Sequence, residues 1–142
     1  LLVRIGTPIR SLIELCGGMP QDSLKVINGG PMMGRAVSNI DAPVTKGTSG
    51  VVIMRNCEAL RPASGSCIKC AKCVSVCPMA LEPYLMSKLS QRGRYDELEP
   101  LKITDCIECG SCAYTCPAAL PLLDYIRLGK SETIKRIRAR KS

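Results

Sequence analysis

The chain contains no histidine, no phenylalanine and no tryptophan, and only four tyrosines among its 142 residues. Without histidine there is no Cys–His or Ser–His catalysis, no zinc site with imidazole ligands and no haem held by histidine. So few rings leave no base-stacking platform of the RNA-recognition or single-strand kind, which argues against nucleic acid as a partner. Long apolar runs are missing too. None approaches the roughly 20 residues that span a bilayer, so no transmembrane segment is expected. A 46% hydrophobic and 23% charged composition is that of an ordinary folded chain. The length fits one domain or two small ones.

Sulfur is in excess. Of ten cysteines, Cys16 and Cys57 stand alone and eight fall into two identical runs. The first is Cys67-x2-Cys70-x2-Cys73-x3-Cys77-Pro78, and the second is Cys106-x2-Cys109-x2-Cys112-x3-Cys116-Pro117. This is the bacterial ferredoxin spacing for cubane iron–sulfur clusters. The short gaps let a curling loop aim three thiolates at three corners of one cube, and the fourth ligand comes from elsewhere. In two-cluster ferredoxins the last cysteine of each run serves the other cluster. Carried over, one cluster takes Cys67, Cys70, Cys73 and Cys116, and the other Cys106, Cys109, Cys112 and Cys77. The spacing alone leaves that crossing open.

Two other chemistries compete for the same sulfurs. A disulfide framework belongs to small secreted chains, and the opening residues do not read as a secretory signal. Four-cysteine zinc sites use two CxxC pairs across a longer loop, a different pattern. Cys16 continues the stripe Ile9, Leu12, Ile13 of an amphipathic helix and reads as packing. Cys57 follows the apolar run Val51–Met54 with no partner at ligand spacing and reads as structural too.

Residues 1–56 are expected to form a small α+β unit: strand Leu1–Ile5, helix Pro8–Cys16, strand Lys25–Ile27, a glycine-rich loop and strand Val51–Met54. Thr7 is the expected N-cap, Pro8 the first helical residue and Gly17-Gly18 the stop. The loop Gly29-Gly30-Pro31-Met32-Met33-Gly34 lacks the second glycine of a dinucleotide fingerprint, and Lys46-Gly47-Thr48 reverses the order of a P-loop. Both read as turns. Residues 57–66 read as a linker and residues 67–120 as the cluster module. Between the cysteine runs Leu81, Leu85 and Leu89 predict a helix with Pro83 in its first turn and Gly93 at its end. Tyr95, Leu98 and Leu101 continue at three-residue steps. The module is therefore predicted to be mainly helical. Residues 121–142 predict a further helix through Leu122, Tyr125 and Ile126, interrupted at Gly129, then a solvated basic tail of Lys135, Arg136, Arg138, Arg140 and Lys141.

The formal charge of +8 treats every thiol as neutral. Eight thiolates and two oxidised cubane cores bring it to about +4. Much of the basicity then offsets anionic clusters, which removes support for a nucleic-acid role.

Ile5-Gly6-Thr7-Pro8-Ile9, Gly29-Gly30-Pro31-Met32-Met33-Gly34, Pro43-Val44-Thr45-Lys46-Gly47-Thr48-Ser49-Gly50 and the two cysteine runs together resemble the C-type subunit of the Rnf (Rsx) electron transport complexes. The resemblance implies a β-grasp, soluble-ligand-binding domain over residues 1–56, truncated at its N-terminal side, followed by two [4Fe–4S] clusters. It implies an electron-transfer module of an ion-translocating ferredoxin:NAD oxidoreductase, peripheral on the cytoplasmic side of the bacterial inner membrane. Its partners are then the other members of the complex and a redox partner protein. FMN and NAD(H) are implied only for an N-terminal domain outside these residues, so no complete catalytic site is expected. Two alternatives remain open. One is the electron-transfer part of a cobalamin-reductase-like flavo-iron–sulfur protein; the other is a cluster-bearing structural or sensor module.

Protein groups around each cluster tune its potential through charge, backbone hydrogen bonds and solvent access. Small residues at the equivalent positions Ala71 and Gly110 let backbone N–H groups approach sulfur. Lys69 and Lys72 lie within the first run, whereas Asp105 and Glu108 accompany the second. Cations raise a potential and anions lower it, so the cluster at Cys67, Cys70 and Cys73 is expected to have the higher one.

Overall fold

The computed structural model describes residues 1–60 and 62–140, without the side chains of Cys57 and Glu58. The structural role expected of Cys57, the linker residue Arg61 and the tail residue Lys141 lie outside the described residues. The chain divides into two compact units, Leu1–Arg61 and Pro62–Ser142.

The first unit is α+β. Helix α1 (Ile9–Leu15) precedes a three-stranded antiparallel sheet ordered β2-β1-β3, built from β1 (Ser23–Asn28), β2 (Arg35–Ala36) and β3 (Val51–Arg55). The central strand pairs Ile27 with Ala36 on one side and Val26 with Ile53 on the other, with an irregularity between Ser23 and Lys25. Ile9 and Ile13 of α1 pack with Val26 and Val44 to form the core. A short helix, α2 (Asn56–Ala59), closes the unit.

Several local expectations need correction. Leu1–Ile5 forms no strand: Leu1, Leu2 and Ile5 are exposed, and β propensity without a pairing neighbour makes no ladder. The N-cap of α1 is Pro8 itself, with extended backbone, while the Thr7 hydroxyl turns back to the Arg4 carbonyl at 2.8 Å. Cys16 is exposed rather than packed. It is the C-cap residue, one step past the last helical turn, so the stripe has ended before reaching it. The stop does follow from Gly17-Gly18: Gly17 N–H reaches Glu14 O and Gly18 N–H reaches Ile13 O, both glycines having positive φ.

The glycine-rich loop joins β1 to β2, the latter a strand absent from the expectation. A Cβ at Gly34 would strike the Gly30 carbonyl and the Ile27 side chain, so the tight reversal demands glycine there.

The second unit contains no strand among the described residues. It comprises α3 (Lys72–Ser75), α4 (Pro83–Gln91), two 3-10 turns (Tyr95–Glu97 and Ile103–Asp105), α5 (Ser111–Tyr114) and α6 (Leu122–Ala139). Pro83 occupies the first turn of α4, and Gly93 (φ 69°) follows its end. The core gathers Leu81, Met86, Leu89, Leu98, Ile103, Leu122 and Ile126.

The unit is an internal repeat. A shift of thirty-nine residues carries Cys67 onto Cys106, α3 onto α5, and the start of α4 onto the start of α6. Positive-φ residues repeat with it: Lys69 and Glu108 (56° and 57°), Ala71 and Gly110 (58° and 84°), Ala80 and Ala119 (51° and 49°). The two cysteine loops thus share one backbone path.

Gly129 does not interrupt α6, which runs unbroken to Ala139. Glycine is there because α6 crosses α4 at that point. A Cβ would run into Ser90 Oγ and lie 2.7 Å from Leu98 Cδ1. Packing overrides the modest helix penalty of glycine, about 1 kcal/mol. Nor is the described part of the basic tail a loose end. Arg136 pairs with Asp96 and Arg140 with Glu99, and the Arg136 guanidinium sits 5.4 Å from the Tyr95 ring centre. The last turns of α6 are held to the segment that follows α4.

Candidate functional site

Each cysteine run curls through two left-handed residues before entering a one-turn helix. Lys69 and Ala71, and Glu108 and Gly110, all have positive φ, and the second and third cysteines of each run line one cavity. Cys73 lies within α3 and Cys112 within α5, both buried, while Cys67 and Cys70 are exposed. The fourth cysteine lies beyond the one-turn helix, where Pro78 or Pro117 carries the chain away.

Two cavities collect these sulfurs. One is lined by Cys67, Cys70, Cys73 and Cys116, together with Lys69, Lys72, Tyr84 and Lys88, and has a volume of about 660 Å³. The other is lined by Cys77, Cys106, Cys109 and Cys112, with Leu81, Met86, Glu108, Leu123 and Ile126, and is much tighter at about 20 Å³. In each set three cysteines come from one run and the fourth from the other. All eight cysteines singled out in the sequence therefore line one cavity or the other. Cys16 belongs to neither lining.

Burial dominates the sulfur electrostatics. It pushes the Cys112 thiol up to about 11 and raises those of Cys73 and Cys106. Neighbouring thiols in the same set add to the rise: Cys116 acts on Cys73, and Cys77 on Cys106. Backbone N–H groups oppose it, from Tyr84 at Cys73, Glu108 at Cys106 and Ala113 at Cys112. Cys109 is shifted the other way, chiefly by the Ser111 hydroxyl 3.4 Å from its sulfur. Leu81 N–H donates to Cys77 Sγ at 3.4 Å. Backbone N–H donors aimed at these sulfurs favour their thiolate forms, and the thiolate is the form that ligates a metal.

The donor set is all sulfur, which suits soft metals and iron–sulfur cores. Among the described residues, no three His, Cys, Asp or Glu groups close tightly enough to hold a single metal ion. A mononuclear zinc site draws its thiolates to about 2.3 Å from one point, whereas the sulfurs of the first set surround a much wider space.

Charge divides the two sites. Glu108, within the second loop, is clamped by two cations of α6: Arg127 Nε at 3.0 Å and Lys130 Nζ at 3.4 Å. Lys130 also donates to the Cys106 carbonyl at 2.6 Å. The second run gave no hint of this clamp, because its members lie nineteen and more residues downstream. It cancels much of the anionic influence expected of Glu108 on the neighbouring site. Among the described residues, Lys69, Lys72 and Lys88 at the first cavity have no such carboxylate.

The sequence is similar to those of known proteins. The 4Fe-4S dicluster domain family matches residues 60–117, and the SLBB domain family matches residues 1–36. The C-type subunit of a proton-translocating ferredoxin:NAD(+) oxidoreductase complex from Clostridium ljungdahlii is 47% identical over 133 residues, which are 93% of this chain and 29% of that protein. The Na(+)-translocating counterpart from Acetobacterium woodii is 47% identical over 132 residues, 93% of this chain and 30% of its own length. The C-type subunit of an ion-translocating oxidoreductase complex from Rhodobacter capsulatus is 38% identical over 136 residues, 96% of this chain and 26% of that protein.

The chain is a homologue of the Rnf C-type subunits. It spans about three tenths of the length of the first two curated relatives, at 29% and 30%. This Rnf homologue carries an iron–sulfur domain on its helical unit and an SLBB match on its α+β unit. No helix among the described residues is long and apolar enough to cross a membrane.

Proposed function

We propose that the chain is an electron-transfer module holding two [4Fe–4S] clusters. Cys67, Cys70, Cys73 and Cys116 hold one, and Cys106, Cys109, Cys112 and Cys77 hold the other. The observation that carries this reading is the grouping of eight sulfurs, four and four, around two cavities, with the fourth member of each set supplied by the opposite run. A bound cubane supplies one-electron redox chemistry. The chain's own residues bury one face of each set, present backbone N–H groups to the sulfurs and fix the local charge.

The reading extends to the complex. The module serves an ion-translocating ferredoxin:NAD oxidoreductase complex, as the names of its relatives describe for those proteins. It works beside the other members of the complex and a redox partner protein, peripheral to the membrane on its cytoplasmic side. The α+β unit is read as β-grasp, in keeping with its SLBB match. FMN and NAD(H) binding is assigned to none of these residues.

Anaerobic purification followed by iron and sulfide analysis tests the reading. The expected result is about eight irons and about eight acid-labile sulfides per chain, with reversible bleaching by a low-potential reductant. A folded chain carrying zinc, or neither metal nor sulfide, overturns it.

A further inference from the structure

Ser111 opens α5 directly after Gly110, and its hydroxyl lies 3.4 Å from Cys109 Sγ. Its backbone N–H faces the same sulfur. Two donors of one residue thus meet one sulfur of the second set. A ligating cysteine has lost its proton, so in the cluster-loaded chain only the hydroxyl of this pair can donate.

The internal repeat supplies the comparison. The thirty-nine-residue shift carries Cys109 onto Cys70 and Ser111 onto Lys72. The residues just before, Ala71 and Gly110, both have positive φ, and both positions begin a one-turn helix. Lys72 is nevertheless exposed and, among the described residues, no hydrogen bond joins it to a sulfur. The first site has exposed cations; the second has a neutral donor in direct contact. Leu81, Met86, Leu123 and Ile126 line the second site, and a hydrogen bond gains strength where little water competes. A donor on a ligating sulfur draws off electron density and stabilises the reduced form more than the oxidised one.

We propose that Ser111 is a positioning residue which, acting through Cys109, raises the potential of the second site and narrows its gap from the first. The proposal rests on the reading that Cys106, Cys109, Cys112 and Cys77 hold a redox-active cluster. A narrow gap lets one electron pass between the two sites in either direction. One site is oxidised as the other is reduced, Ser111 keeps its proton, and no bond is made or broken.

The test is an EPR-monitored redox titration of the whole cluster-loaded chain, following both signals in S111A, S111T, K72S and K72A. S111A is expected to lower one potential by up to about tenfold in the reduction equilibrium, about 59 mV for one electron. S111T, which keeps the hydroxyl, is expected to restore it. The shift persists in high salt, since a contact hydrogen bond is not screened as an exposed charge is. K72S and K72A both remove a cation, but only K72S sets a hydroxyl at the equivalent place. The first site is therefore expected to have the higher potential in K72S. Resonance Raman gives a second readout: the shift of the Fe–S stretching bands on transfer to deuterated water is expected to be smaller in S111A.

Unchanged potentials in S111A at full iron content overturn the proposal. So does a fall that S111T leaves uncorrected. If S111A loses its iron, the Lys72 variants decide, and equal potentials in K72S and K72A overturn it. An unaltered chain that carries iron but gives no reducible signal sinks the electron-transfer reading instead, so the two failures are distinguishable.

Discussion

Gly129 of α6 packs against Ser90 of α4, and the two residues are equivalent under the repeat that carries Cys67 onto Cys106. The crossing of the two long helices therefore lies on the internal symmetry of the unit. Around it Ser90 donates to the Met86 carbonyl and Thr133 to the Gly129 carbonyl, both at 2.8 Å, so buried hydroxyls at the crossing are satisfied. One glycine at this contact lets the two helices that follow the cysteine runs approach closely.

Gly129→Ala is expected to destabilise the chain by about 1–3 kcal/mol, because overpacking outweighs the helix-propensity gain of about 1 kcal/mol. The new methyl meets both Ser90 and Leu98 Cδ1. Ser90→Ala removes the hydroxyl it strikes, so the double variant is expected to lose less than the two single losses combined. A thermal-unfolding cycle on cluster-loaded protein under anaerobic conditions reads the coupling.

The pairing of sulfurs across the runs makes a sharper prediction. If Cys67 and Cys116 share a set, Cys67→Ser/Cys116→Ser damages one site and leaves about four irons per chain. Cys67→Ser/Cys77→Ser strikes both sets and leaves far less. Iron analysis with EPR of the reduced protein distinguishes them, and equal iron in the two double variants refutes the crossing.

Much of this was legible in the sequence, and the parts that were not share a cause. The cysteine spacing, Pro83 opening a helix and Gly17-Gly18 closing one are local signals, each needing only a few neighbours. Gly129 misled because its meaning depends on Ser90, far off in sequence, and Leu1–Ile5 misled because a strand exists only with a partner. Cys16 fell just outside a stripe that periodicity extended by one residue. Glu108 is the most instructive case for the site. Its sign was plain in the second run, but its neutralisation by Arg127 and Lys130 required α6 to be folded against the loop.

That clamp predicts how the second site responds to charge. Glu108→Gln removes an anion and leaves Arg127 and Lys130 beside Cys106, so the potential of the neighbouring site is expected to rise. Lys69→Gln is expected to lower that of the other site, by less, since Lys69 is exposed and screened. An EPR-monitored redox titration resolving two signals tests both. Movement of the wrong signal, or of neither, contradicts the assignment.

Asp41 offers a prediction remote from the cysteines. Arg10 donates to both of its carboxylate oxygens, at 2.6 and 3.0 Å, and holds its carboxyl below the ordinary aspartate range. A carboxyl lowered on folding contributes stability that is full above its unfolded value of about 3.9 and disappears as pH falls through the folded value. The window is therefore acidic, and neutral pH is insensitive to it. Both side chains are about half exposed, so the energetic contribution is small. Its spectroscopic trace is clearer: the Asp41 carboxyl resonance is expected to titrate below those of unpaired aspartates. In Arg10→Gln, which keeps a donor but removes the charge, the midpoint is expected to move up towards the ordinary value. A midpoint that does not respond to the loss of Arg10 means that the ion pair does not persist in solution, and that the contacts of Ile9 N–H with Ala42 O and Arg10 N–H with Ile40 O hold this corner without it.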